Sequence, residues 1–218
     1  MSDVISKLKS GGESASRRNY RAELVCEVLT GLPTPQGFVS KEMQWGTDHE
    51  PEARAAYEAE ENVSVDPVGF AIHPNNDRCG ASPDGVVGLE DAKIAILASL
   101  QPEDRPAMIA AWESGELPDA EGLLEIKCPL TATHLDYILG GVAPSEYMPQ
   151  MQWEMRCTGA KWCDFVSYDP RLPAHLQLFI VRVPRDDNYI AKLEAEVASF
   201  LADLDRLLAA LPQPPEAA

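Results

Sequence analysis

From Val63 to Gly88 the chain is written in short apolar runs separated by turn residues. Val68 to His73, the turn residues Pro74-Asn75-Asn76-Asp77, and Gly80 to Val87 read as a hairpin of strands, with Pro67 marking its start. Leu123 to Lys127 is a further strand, closed at Cys128-Pro129 because proline has no N–H to give a ladder. Trp162 to Tyr168 and Leu176 to Val183 complete the set.

Helical periods stand around these strands. Leu24, Val25, Val28 and Leu29 recur at helical spacing until Gly31, Pro33 and Pro35 stop them. From Ser40, a plausible N-cap, Met43, Gly46, Glu50, Ala53 and Tyr57 fall on one stripe. Pro51 disfavours helical geometry at Glu50, which predicts a kink or a new helix there. Thr131 to Leu139 and Tyr147 to Cys157 read as helices. The last long element, Asn188 to Leu211, gathers Ile190, Leu193, Val197, Phe200, Leu201, Leu204 and Leu208 on one side. Strands and helices thus interleave in an α/β (α+β) chain.

At 218 residues the chain fits one domain, 1–218, large enough to bury a full core. A helical insertion at Leu89 to Ala120 and a Pro-rich tail at 212–218 are its expected additions. An apolar share of 45% and a charged share of 24% match globular usage, and no apolar run approaches the ~20 residues of a membrane helix. No secretory signal opens the sequence, so a cytoplasmic location is expected. Five cysteines without a CxxC pair suggest reduced thiols, and four histidines show no metal spacing. The net charge of −17 does not exclude a nucleic-acid partner, since a nuclease needs positive charge only along the backbone track. Arg17, Arg18 and Arg21 cluster with Lys7 and Lys9 as candidate phosphate contacts, or equally as a solvated basic N-terminus.

The chemistry-bearing pieces are Ser82-Pro83-Asp84-Gly85 and Glu125-Ile126-Lys127. Strand alternation puts Glu125 and Lys127 on one face, with Ile126 on the other, so that carboxylate and ammonium project together from a sheet edge. If Asp84 ends the adjacent hairpin, two hard oxygen ligands converge as Mg²⁺ requires. Such a site suits phosphodiester hydrolysis: the metal polarises the phosphate and activates a water, and Lys127 positions that water and stabilises phosphoryl charge. A second ion between Asp84 and Glu125 would stabilise the leaving oxygen, and Glu50 is a candidate additional ligand. Taken alone, Glu-x-Lys equally describes a surface ion pair worth under ~1 kcal/mol. Tyr147, Trp153 and Trp162 are candidate base-stacking platforms, with core packing the simpler explanation for the two tryptophans. Arg156 and Lys161 are candidate phosphate contacts or solvated surface charges.

Trp45-Gly46 with Glu50, Ser82-Pro83-Asp84-Gly85, Leu124-Glu125-Ile126-Lys127-Cys128-Pro129, Tyr147-Met148-Pro149-Gln150-Met151-Gln152 and Tyr168-Asp169-Pro170-Arg171 together resemble the lambda-exonuclease, or YqaJ-type, viral recombinase family of the PD-(D/E)xK nucleases. The resemblance implies a central mixed twisted sheet flanked by helices, with a restriction-endonuclease-like core. It also implies that Asp84, Glu125 and the carbonyl of Ile126 bind metal, that Lys127 is the catalytic lysine, and that Glu50 and Gln150 belong to the site. The implied activity is Mg²⁺-dependent digestion of duplex DNA from the 5′ end, leaving a 3′ single strand. Two ions are expected, with Mn²⁺ an alternative. A ring-shaped trimer, a single-strand annealing partner and a phage or prophage setting in a bacterial host are further implications. The family's opening R-x-G-x-I-T-A-S segment has no counterpart for its arginine, and only Ser2 stands where its serine would be, so end recognition is expected to be altered or the start truncated. An endonuclease or nickase on the same scaffold, or an inactive DNA-binding relative, are the alternatives.

Overall fold

The computed structural model describes residues 1–7, 12–35, 37, 40–87 and 122–212. It has two compact units, Met1–Phe38 with Asp187–Ala218, and Val39–Asp186. The expected insertion at Leu89 to Ala120, and nearly all of the Pro-rich tail, lie outside the described residues.

In the first unit α1 (Ser2–Ile5) and α2 (Ala15–Thr30) pack with the long C-terminal helix, labelled α6 below (Asp187–Ala210). Ser14 caps α2 by accepting the Arg17 N–H at 3.1 Å, and Gly31 ends it in the left-handed conformation at φ 67°. The amphipathic face of α6 buries Ile190, Leu193, Val197, Phe200 and Leu204, as its period predicts. On α2 the result differs: Val28 and Leu29 are exposed, and the residue that α2 buries is Arg17. That guanidinium lies 5.2 Å over the Phe200 ring, while Tyr20 stacks on the same ring at 5.6 Å.

The second unit holds α3 (Lys41–Glu61), β1 (Val65–Asp66), β2 (Ala71–His73), β3 (Asn76–Ala81), β4 (Gly85–Val87), β5 (Gly122–Lys127), α4 (Thr131–Gly140), α5 (Met148–Thr158), β6 (Trp162–Tyr168), a 3₁₀ turn (Ala174–Leu176) and β7 (Leu178–Pro184). The main sheet runs β1-β4-β5-β6-β7, with β5 and β6 parallel and the other pairs antiparallel. Its two faces carry separate cores. Leu124, Ile126, Val166 and Tyr168 meet Ala53 and Tyr57 of α3. Leu123, Cys163 and Phe165 meet Met151 and Met155 of α5 on the other face. The period-two alternation of β5 therefore sends Glu125 and Lys127 to the α5 side.

Three expectations are corrected here. First, no new helix starts at Pro51: α3 continues through it. Proline costs the bond to the Thr47 carbonyl, but both residues are exposed, so water satisfies that oxygen. Second, Gly80 to Val87 is not one strand: Pro83 divides it, and β3 pairs with β2 in a two-stranded sheet while β4 enters the main one. The hairpin expected around Pro74 is present, whereas β1 precedes Pro67 and pairs with β4. Third, β5 is the central strand rather than an edge.

Gly85 of β4 packs against Val65 of β1. A methyl group there would lie 2.3 Å from Val65 Cγ1. Gly85→Ala should lower stability by about 1–3 kcal/mol through overpacking. The Gly85→Ala/Val65→Ala double variant should lose less than the sum of its parts in thermal melts. Strict additivity would show that this contact is not the constraint.

Candidate active site

The break at Pro83 builds the site. Because β4 begins at Gly85, opposite Leu124, the amide of Ile126 has no strand neighbour on that side. Asp84 takes the neighbour's place: its Oδ2 accepts the Ile126 N–H at 2.7 Å, and its own N–H donates to the Leu124 carbonyl at 3.1 Å. In a strand the N–H and C=O of one residue leave the same edge, so the Ile126 carbonyl is directed to the edge where Asp84 stands.

Glu125 is fully buried beside this position, paired through Oε1 with the Lys127 ammonium. Its Oε2 accepts the Gln150 Nε2–H at 2.8 Å, and the same amide nitrogen donates to Glu154 Oε1 at 2.9 Å. The Lys127 ammonium also lies 5.2 Å from the Tyr147 ring, which stacks on Phe165. Burial pushes the Glu125 carboxyl up to about 6, against the pull of Lys127, with Asp84 adding to the rise. Burial likewise raises Asp84, opposed by Lys127 and the Ile126 amide. Glu154 is pushed well above the carboxylate range by burial and then by the charge of Glu125. Burial opposes the charge on Lys127, yet Glu125 and Asp84 outweigh it and hold the ammonium above its ordinary value.

Glu50 stands nearby on α3. Arg54 Nη2 donates to Glu50 Oε1 at 3.0 Å and to the Asp84 carbonyl at 2.8 Å, tying the two segments together. Burial and then Asp84 raise the Glu50 carboxyl. Asp84, Glu125, Lys127, Gln150 and Glu50 are thus brought to one region. Arg54 and Glu154 belong with them and escaped sequence reasoning. Glu154 had a faint signal, an acid four residues after Gln150 on one helix, within an otherwise apolar face.

The basic cluster behaves differently. In the first unit, Arg17 is 5% exposed and faces Glu13, Glu196 and Asp203 at 3.9, 3.7 and 3.8 Å. Arg21 pairs with Glu13 at 2.5 Å and with Asp203 at 3.5 Å. Of the three arginines only Arg18 is exposed. Trp153 is buried, donating to the Gly80 carbonyl at 3.1 Å and stacking on His73. Trp162 is partly buried under Arg182, whose guanidinium carbon is 3.5 Å from its ring centre. Both are packing residues. None of the five cysteines is in a disulfide, and His134 is a buried structural residue held by Ser167 and the Leu176 carbonyl at 2.7 and 2.8 Å.

The donor set suits a hard divalent cation. Three carboxyls, those of Asp84, Glu125 and Glu154, stand near the Lys127 ammonium, with Arg54 acting on Asp84 as well, and burial still raises all three. Apart from its ion pair, Glu125 Oε1 makes no hydrogen bond among the described residues. No three His, Cys, Asp or Glu side chains among them converge into a metal cage. Mg²⁺ does not require one, because it takes one or two carboxylates and keeps several waters.

A mixed sheet whose central strand carries Glu-x-Lys, with an aspartate bonded to the intervening amide, defines a PD-(D/E)xK-like fold. Residues 5–161 match the model of the YqaJ-like viral recombinase domain, and the chain belongs to that family. The alkaline exonuclease LHK-Exo of Laribacter hongkongensis is 42% identical, with a TM-score of 0.73 over 95% of this chain and 86% of that one. A crystal structure of LHK-Exo in complex with dAMP gives 41% identity and a TM-score of 0.74 over the same shares. A phage-related exonuclease from Haemophilus somnus 129PT shares the fold at 15% identity, with a TM-score of 0.62 over 95% of this chain and 92% of that one. No curated protein matches. Family and relatives make the chain a nuclease of the exonuclease kind, a hydrolase. Among the described residues no helix is long and apolar enough to cross a membrane.

The raised carboxyls have a stability consequence. A folded-state value above the ordinary 4.5 means that the fold holds the proton more tightly than the unfolded chain does. Stability from these groups is therefore present below about pH 4.5 and is lost as pH rises through the folded values, near 6 for Glu125. Glu154→Gln removes one such group. It should melt higher than wild type at pH 8 and converge with it at pH 4. Equal melting at both pH values would show that Glu154 carries no such penalty.

Proposed function

We propose that the chain is a divalent-metal-dependent deoxyribonuclease that digests duplex DNA from its 5′ end and leaves a 3′ single strand for recombination. The observation that carries this is the joint placement of Asp84, Glu125 and Lys127 around the Ile126 peptide. A relative crystallised with dAMP supports it, since a deoxynucleoside monophosphate is what stepwise hydrolysis of a DNA strand releases.

Asp84, Glu125 and the Ile126 carbonyl would hold the ion, with Glu50 a further oxygen donor on α3. Bound there, Mg²⁺ would supply Lewis acidity to the scissile phosphate and lower the pKa of a water. Glu125 is kept in one rotamer by Lys127 on one oxygen and Gln150 on the other. Lys127, the only cation paired with it among the described residues, stabilises charge developing on the phosphoryl oxygens and orients the attacking water. Asp84 is fixed by the Ile126 amide, so the donors are set before substrate arrives. A ring-shaped oligomer around DNA and a single-strand annealing partner complete the proposal by family resemblance.

Purified protein with Mg²⁺ should digest linear duplex DNA, release label from 5′ ends first, and leave closed circles intact. Chelation should stop it. Lys127→Ala should fold normally and lose about 10²- to 10³-fold in rate, as removal of a charge-stabilising donor does. Cleavage of closed circles would support an endonuclease instead, and an active Lys127→Ala variant would overturn the assignment.

A further inference from the structure

Gln150 lies in the first turn of α5, and its single amide nitrogen serves two carboxyl groups, Glu125 Oε2 at 2.8 Å and Glu154 Oε1 at 2.9 Å. An amide nitrogen carries two hydrogens, so both are used, one on each side. With an acceptor on either side, the amide has one satisfactory orientation, nitrogen toward the carboxyls and Oε1 away from them.

Glu154 is a poor choice for packing. It is 1% exposed, and its Oε2 has no hydrogen-bond partner among the described residues. Burying such a group is unfavourable, and an apolar residue of similar size would stabilise the helix more. Nor is Glu154 needed to hold α5 in place. Met151 and Met155 sit in the core, Gln152 donates to the Pro184 carbonyl at 2.8 Å and accepts the Asp186 N–H at 2.8 Å, and Trp153 bonds Gly80. These anchors fix the backbone on either side of Glu154 without it. What Glu154 does is take the second N–H of Gln150, beside the Glu125 carboxyl that it also reaches directly.

We infer that Glu154 is a positioning residue: by accepting one N–H of Gln150 it locks the amide, so that the other N–H holds the Glu125 carboxylate in its working rotamer. The chain of restraint runs from Glu154 to Gln150 to Glu125, and Glu154 itself need touch neither substrate nor metal. Outer groups of this kind typically change metal affinity or activity by about 10- to 100-fold when removed.

The test uses the full chain and two readouts. The first is the side-chain amide signal of Gln150 in ¹⁵N-labelled protein, assigned by its loss in Gln150→Ala. Wild type and Glu154→Gln, which keeps a carbonyl acceptor, should show two resolved, protected amide protons. In Glu154→Leu exchange should speed by roughly tenfold, as the loss of one hydrogen bond implies. The second readout rests on the metal reading above: calorimetric Mn²⁺ affinity should weaken about 10- to 100-fold in Glu154→Leu, and much less in Glu154→Gln. Glu154→Leu should add nothing in the Gln150→Ala background. If Glu154→Leu fails to fold, Glu154→Met replaces it. An unchanged Gln150 amide in the leucine variant, or equal losses in the leucine and glutamine variants, overturns the inference. A wild-type chain that binds no Mn²⁺ overturns the metal reading instead, and the amide signal then decides the inference by itself.

Discussion

The hydrogen bond from the Ile126 amide to the Asp84 carboxylate joins two segments that are separated in sequence by more than forty residues. It fills the place in the ladder that β4 leaves empty by starting at Gly85. Without it, a central strand of the sheet would carry an unpaired amide, which folded proteins seldom tolerate. The same bond sets Asp84 beside Glu125, so a requirement of the sheet and a requirement of the chemistry are met by one side chain. Pro83 makes this possible, since it ends β3 and frees the aspartate from any strand.

Around that bond the interior carries more negative than positive charge. Lys127, with Arg54 at Asp84, offsets only part of it, and burial raises Asp84, Glu125 and Glu154 together. A site of this kind is poised to take up a cation or a proton, and the fold loses stability at neutral pH to keep it so. The β2–β3 hairpin contributes from outside by bracing α5 through Trp153 and His73, which keeps Gln150 in register with β5.

Much of this was legible in the sequence. Period-two alternation placed Glu125 and Lys127 on one face, and Ser40 and Gly31 marked helix ends by their own chemistry. Asp84, Glu125, Lys127, Glu50 and Gln150 were all singled out, and the structure gathers them. What sequence could not give was depth. Glu-x-Lys reads the same on an edge as at the centre of a sheet, and only strand order reveals Glu125 as fully buried. Arg17 read equally as a phosphate contact or a solvated charge for the same reason, because its partners Glu196 and Asp203 lie on a helix at the far end of the chain. Pro51 was expected to kink α3 or start a new helix, and the helix runs on through it, since exposure on both sides of the lost bond makes it tolerable. Glu154 was hidden by its neighbours, since one acid among apolar helix residues carries no period of its own.

The central claim is that this set of oxygens is the place where the ion binds and the phosphate reacts. Anomalous diffraction from a crystal of the protein soaked in Mn²⁺ addresses it directly. The proposed site requires a manganese peak in direct contact with a carboxylate oxygen of Asp84, one of Glu125 and the carbonyl oxygen of Ile126. A peak bound elsewhere, with none of these three oxygens in contact with the ion, would contradict it.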